Sequence, residues 1–277
     1  MKLSTVRLGY GRTAAARLQK KHCVLLPYPD VGALIASGDG WRERAGAETG
    51  ERTRLEEVSF APLLRSPRHV VRTRVDSLPG TGGGDRPTAP SFRVEGGKHL
   101  IGAQDDIRLP EGAGELHWGA QLGVVIGRPT RTVTAEAALG HVAGYTVVND
   151  VAPADRDGGP AGDGSGRRVA VPIPVGPALV TTDDTPMGGR GLTITCVVDN
   201  RVVQKFNTSD LPFDVATVVA RVSTLVTLLP GDLITTGTRG GRGRDPHQAL
   251  SVRQGQLMVT TIKGVGELTG TVLPPCR

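Results

Sequence analysis

Hydrophobic and polar positions alternate through GELHWGAQLGVVIG (114–127), the pattern of a half-buried strand. With a period of two, His117, Gly119 and Gln121 share one face, and Trp118, Ala120 and Leu122 share the other. GYTVVND (144–150) reads as a second strand, ending in Asn149 and Asp150. Near the start, KLSTVRL, AAARLQ and HCVLLP read as short strands, DVGALIASG as a helical turn and WRERAGAETGERTRLEE as a polar connector. Together these form a small N-terminal domain over residues 1–60, and strands recur from VSFAPLLRSPRHVVRTRV onward through a larger domain over 61–277. One convincing helix follows TSDLPFD. Asp214 caps it, Val215, Val218, Val219, Val222, Val226 and Leu229 form its apolar stripe, and Pro230-Gly231 stops it. The Gly-rich stretches 78–90 and 153–168 read as irregular segments, either lids or surface loops.

Composition supports a mostly β, α+β fold. The 277 residues include 39 glycines and 20 prolines but only 3% aromatics, which suits many tight turns between strands rich in Val, Ile and Thr. The net charge of +6 comes mainly from arginines spread along the chain, and the aromatics on which bases stack are scarce. Nucleic acid is therefore not an expected partner. Cys23, Cys196 and Cys276 are far apart and lack metal-ligand spacing. No apolar run reaches the length of a membrane span and the N-terminus has no signal-like core, so a cytoplasmic protein without membrane contact is expected.

Where the polar face of the first strand approaches the end of the second, a carboxylate cluster would be sought, yet only one acid, Asp150, is there. QLGVVIG (121–127), GYTVVND (144–150), PVGPALVT (174–181), VDNRVVQKFNTSDLPF (198–213), LLPGDLITTGT (228–238) and IKGVGELTGTV (262–272) together resemble the fumarylacetoacetate hydrolase superfamily, over roughly residues 60–275. The resemblance implies a mixed β-sandwich roll around a deep pocket, usually in a homodimer. It also implies a Mg²⁺ or Mn²⁺ ion held by a Glu-x-Glu pair and an Asp. Those ligand positions fall at Gly119, Gln121 and Asp150. One carboxylate and one amide make a poor cage for a hard cation, so no metal and no other cofactor is expected.

Other family positions differ as well. The expected lysine falls at Arg167 or Arg168, and an arginine does not give up its proton to act as a base. Gly80 stands at the position of the lid histidine, Ala154 at that of an arginine whose neighbouring acid persists as Asp155, and Arg239 at that of the proline of TGTP. Gln204, the pair Thr208-Ser209, and Thr236, Gly237 and Thr238 persist, and the resemblance makes them pocket-lining, substrate-holding groups.

Each candidate carries two readings. His117 either exchanges a proton with an enol or hydroxyl, or is a half-exposed strand histidine with no role. Asp150 is either a general base or a relic hydrogen-bonded to Gln121 or to backbone amides. Gln121 either donates to a substrate carbonyl or fills space beside Asp150. Arg167 and Arg239 either clamp a substrate carboxylate or are solvated loop residues, and RGGRGR (239–244) reads as a loop.

The function expected is metal-independent acid/base and positioning chemistry on a small molecule with carbonyl or carboxylate groups. An isomerase, a lyase or dehydratase, or a cyclase in secondary metabolism fits this description. The alternative is a catalytically inactive relative that binds a small molecule or serves as a structural subunit. A third reading, a metal-dependent β-dicarbonyl hydrolase or decarboxylase, requires Glu115 to reach the site through a β-bulge.

Overall fold

The computed structural model describes residues 1–47, 50–74, 89–97, 99–153, 171–238 and 251–275. The architecture is mostly β, of the α+β class expected, with three sheets. The largest has 12 strands. Its main path runs through Arg52–Arg54, His22–Leu25, Thr13–Leu18, Lys2–Arg7, Ile173–Thr181, Val142–Asn149, Ala120–Ile126, Leu233–Thr235, Val70–Arg74 and Ser91–Glu95. Nearly all neighbours on this path are antiparallel, but Val70–Arg74 runs parallel to Leu233–Thr235. A five-stranded sheet comprises Arg201–Asn207, Thr193–Val198, Leu257–Ile262, Gly266–Leu273 and Ile107–Arg108. A three-stranded sheet joins Ala152–Pro153, Glu115–His117 and Ser251–Arg253.

The Ala120–Ile126 strand is buried on both faces, which explains its nearly continuous apolar run. Ala120, Leu122, Val124 and Ile126 pack into one core cluster with Tyr145, Ile194 and Met258. Val125 points the other way, into a second cluster with Leu3, Leu34, Trp41, Val148 and Leu233. A Cβ at Gly123 would lie 2.7 Å from Val148 Cγ2, so the hydrogen at this position lets neighbouring side chains close over the strand.

The stretch 114–127 is not one strand. It breaks at Trp118-Gly119, and Glu115–His117 leaves the large sheet to pair with Ala152–Pro153 and Ser251–Arg253. At the N-terminus, strands occupy Lys2–Arg7, Thr13–Leu18 and His22–Leu25, and Asp30 caps the helical turn Val31–Ala36 by accepting from Ala33 N at 2.9 Å. The stretch read as a polar connector contains the helix Trp41–Gly46, which buries Trp41 and Ala45, and the strand Arg52–Arg54. Lys2–Arg7 pairs with Ile173–Thr181, which ties the N-terminal strands to the large sheet.

The long helix spans Val215–Leu225 and buries Val215, Val218, Val219 and Val222. Asp214 accepts from Thr217 N at 2.8 Å, the expected cap. The helix ends before Val226, which is extended, because Leu228 exchanges backbone hydrogen bonds with Thr130 instead of continuing the turn.

Candidate functional site

The large sheet brings the ends of three strands together. Val142–Asn149 delivers Asp150, whose backbone N donates to Gly119 O at 2.9 Å and so fixes the two chain ends side by side. Ala120–Ile126 delivers Gln121, and Val70–Arg74 delivers Arg72. Asp150 is 6% exposed and Gln121 2%, so their polar atoms must be satisfied from within the protein. Gln121 Nε2 donates to Asp150 Oδ2 at 3.1 Å, and Gln121 Oε1 accepts from Gly237 N at 2.9 Å. Gly237 has φ of +82°, a left-handed conformation that glycine adopts without the strain a Cβ would bring. Arg72 Nη2 donates to Asp150 Oδ1 and, at 3.0 Å, to Val151 O. Arg72 Nη1 lies 3.8 Å from Glu95 Oε2, and Glu95 is also ion-paired to Arg93.

A second line of groups sits beside the first. Gln204 Oε1 accepts from Ala120 N at 3.3 Å, while its Nε2 donates to Thr238 Oγ1 at 2.6 Å. Thr236 is buried, its N bonded to Leu122 O. The hydroxyls of Thr208 and Ser209 go elsewhere: Thr208 Oγ1 donates to Gly189 O and accepts from Leu192 N, and Ser209 Oγ accepts from Gly191 N. Those two residues brace the 189–192 turn.

The expected site residues are therefore partly assembled. Asp150, Gln121 and Gly237 form one hydrogen-bonded line, and Gln204 and Thr238 a second beside it, with Thr236 adjacent. His117 stands apart on the Glu115–His117 strand, its backbone opposite Ala152 and Ser251, and its ring makes no hydrogen bond or ion pair among the described residues. Glu115 accepts from Arg253 Nε at 3.1 Å and Ser251 Oγ at 3.2 Å, so its carboxylate is engaged at the far end of that strand. Arg167, Arg168 and Arg239, together with Gly80, Ala154 and Asp155, lie outside the described residues. Arg72 and Glu95 are members of the site that the sequence did not bring forward. The available signal was an arginine inside the apolar run of HVVRTRV.

Among the described residues, the donor set does not fit a hard divalent cation. Such an ion takes about six oxygen ligands with free lone pairs. Here each oxygen of Asp150 accepts an N–H, the Gln121 amide oxygen accepts another, and a guanidinium already places positive charge on the carboxylate. Gly119 offers no side chain, and a Cβ there would lie 2.9 Å from Thr238 Cγ2. No group of three His, Cys, Asp or Glu residues among the described residues is arranged to hold a metal.

Beyond the network lies a neutral, fully buried junction. Thr260 Oγ1 is 2.8 Å from Asn149 Oδ1 and 3.2 Å from Cys196 Sγ. Burial pushes the Cys196 thiol up to about 12, and the Tyr145 phenol also to about 12. Neither is an ionised nucleophile near neutral pH. No helix among the described residues is long and apolar enough to cross a membrane.

The chain can now be set beside known proteins. The family described as Fumarylacetoacetate (FAA) hydrolase C-terminal matches residues 69–273. Protein Rv2993c of Mycobacterium tuberculosis is 34% identical over 229 residues, which make up 81% of this chain and 82% of that protein. Among solved structures, maleylpyruvate hydrolase from Sphingobium sp. SYK-6 is similar with a TM-score of 0.77 at 25% identity, covering 99% of this chain and 100% of that one. 2-Hydroxyhepta-2,4-diene-1,7-dioate isomerase from Mycobacterium marinum is similar with a TM-score of 0.74 at 26% identity, over 100% of both chains. With the family's sequence pattern spanning most of the molecule and its fold shared from end to end, the chain belongs to the fumarylacetoacetate hydrolase superfamily.

Proposed function

We propose that this chain is a metal-independent enzyme of the superfamily, moving protons on a small oxo-acid or other carbonyl-bearing substrate as an isomerase, lyase or cyclase. The observation that carries the reading is the enclosure of Asp150 by side-chain N–H donors from Arg72 and Gln121, at the position where a divalent ion would need free oxygens. The similar proteins named as a hydrolase and an isomerase act on small carboxylic compounds by name, which supports the substrate class. Asp150 is the base that removes a proton beside the carbonyl. Gln121, Gln204 and Thr238 orient the substrate oxygens, and His117 is the second proton-transfer candidate. Arg167 and Arg239 are kept as candidate holders of a substrate carboxylate. A homodimer and a role in secondary metabolism complete the proposal.

A non-catalytic binding or structural role has one observation in its favour. Both carboxylate oxygens of Asp150 and both amide atoms of Gln121 already have partners, as expected of a site closed on itself. The two readings separate in D₂O. With EDTA-treated protein and a panel of 2-oxo and 1,3-dicarbonyl acids, the enzyme reading expects NMR-detected exchange of the α-proton in the wild type. It expects that exchange to be lost in Asp150→Asn. Binding of a panel member without any exchange would favour the non-catalytic role.

A further inference from the structure

Arg72 needs an explanation of its own. Its side chain is 11% exposed, so its charge is largely removed from water and depends on its neighbours. Among the described residues, those neighbours include two carboxylates on different strands. Asp150 closes the end of Val142–Asn149, and Glu95 ends Ser91–Glu95, the strand paired to Arg72's own. The Val151 carbonyl adds a third oxygen to the same side of the guanidinium. One cation is thus bracketed by two anionic oxygens and a neutral one, and Gln121 adds an amide to Asp150. Oxygen donors around one positive centre are what a hard metal ion gathers, but here the centre is covalently part of the chain.

We propose that Arg72 is the resident cation of this site. It takes the charge position of a divalent ion, holds Asp150 and Glu95 in place, and keeps free metal out. The inference rests on the metal-independent reading of the Asp150 site and assigns that independence to one residue. Two consequences follow from electrostatics. A second cation cannot enter while the guanidinium occupies the space between the carboxylates, because like charges at contact distance repel strongly in a buried setting. Removing the guanidinium takes its positive charge away from both carboxylates and frees Asp150 Oδ1, while Glu95 keeps Arg93 and Asp150 Oδ2 keeps Gln121. With the Val151 carbonyl, the carboxylate oxygens that faced Arg72 are ones a divalent ion can use. Loss of Arg72 should therefore create a metal site.

The test uses the full chain as wild type, Arg72→Lys, Arg72→Met and Arg72→Met/Asp150→Asn. Each is melted in EDTA and in Mn²⁺, with Na⁺ matching the ionic strength, and bound Mn²⁺ is read by electron paramagnetic resonance. Wild type and Arg72→Lys are expected to show no Mn²⁺-dependent shift, since both keep a cation in place. Arg72→Met is expected to melt lower in EDTA and to recover by about 5 °C or more in Mn²⁺ as it binds one ion. The double variant should lose that recovery, which places the ion at Asp150. If Arg72→Met misfolds in EDTA, the replacement predicts that refolding in Mn²⁺ rescues it; a variant that folds in neither buffer, or folds without gaining Mn²⁺, overturns the proposal. The wild-type arm separates the two claims. One Mn²⁺ bound there sinks the metal-independent reading itself, whereas a silent wild type with a silent Arg72→Met sinks only the role given to Arg72.

Discussion

Two buried aspartates in this molecule are satisfied mainly by different kinds of donor. Asp232, 1% exposed, accepts from the backbone N of His69 and of Leu229, each at 2.8 Å, and from the His69 ring at 3.1 Å. It staples the start of the Val70–Arg74 strand to the turn that precedes Leu233–Thr235. Among the described residues, Asp150, 6% exposed, accepts from side chains instead, those of Arg72 and Gln121 on two other strands. Backbone donors cannot leave without unfolding the turn that presents them. Side-chain donors can rotate, be substituted, or hand their bond to a ligand. The contrast marks Asp232 as architecture and Asp150 as a place where charge is balanced by exchangeable groups, which is what chemistry on a substrate requires.

The comparison is most open to attack through activity. Asp150→Asn keeps the shape and an acceptor for Gln121 but removes the proposed base, so turnover or proton exchange should fall by about 10²–10⁴-fold. Stability should fall too, because Arg72 loses a buried ion partner, but the chain should stay folded. Asp232→Ala is the mirror image. It leaves the His69 and Leu229 amides without their acceptor, each such loss costing about 1–3 kcal/mol, so urea unfolding should show a total loss of roughly 2–6 kcal/mol. Activity per folded molecule should hold. If Asp232→Ala abolished activity in a fully folded protein, or Asp150→Asn unfolded the chain while Asp232→Ala did not, the division of roles would be reversed.

A smaller effect sharpens the boundary of the site. Cys196 and Tyr145 lack counter-charges, and burial raises both to about 12, from 9.0 and 10.0. For groups that ionise by losing a proton, a raised native value means the folded chain keeps protons the unfolded chain has already released. Stability should therefore fall as pH rises above about 9, by up to about 1.4 kcal/mol per pH unit for each group. Cys196→Ala should flatten that slope in urea titrations between pH 8 and about 10.5. An unchanged slope would mean that the alkaline limb belongs to other groups.

Much of the fold was legible because its information is local. Short runs of strand-forming residues marked Lys2–Arg7, Thr13–Leu18 and His22–Leu25, the 114–127 pattern marked Ala120–Ile126, and a capping aspartate marked the start of the Val215–Leu225 helix. The break at Trp118-Gly119 was not legible. It arises from pairing with Ala152–Pro153 and Ser251–Arg253, segments far along the chain that local alternation does not report. The helix Trp41–Gly46 was hidden in the same way, since only two of its residues are buried and the rest read as polar. In the candidate site, Gln121, Asp150, Gln204 and Thr238 could be named in advance because they sit in recognisable phrases. Arg72 could not. In HVVRTRV it looks like any strand arginine, and its meaning comes from Asp150, a residue 78 positions away.

The Asp150 site either works without a divalent ion or depends on one. The most direct measurement is elemental mass spectrometry of the purified wild-type chain, before and after incubation in excess Mg²⁺ or Mn²⁺ followed by desalting. Metal well below one ion per chain in both samples, with α-proton exchange persisting in EDTA, is the predicted result. One tightly held ion per chain, lost together with activity on chelation, would contradict it and return the site to the metal-dependent hydrolase or decarboxylase reading.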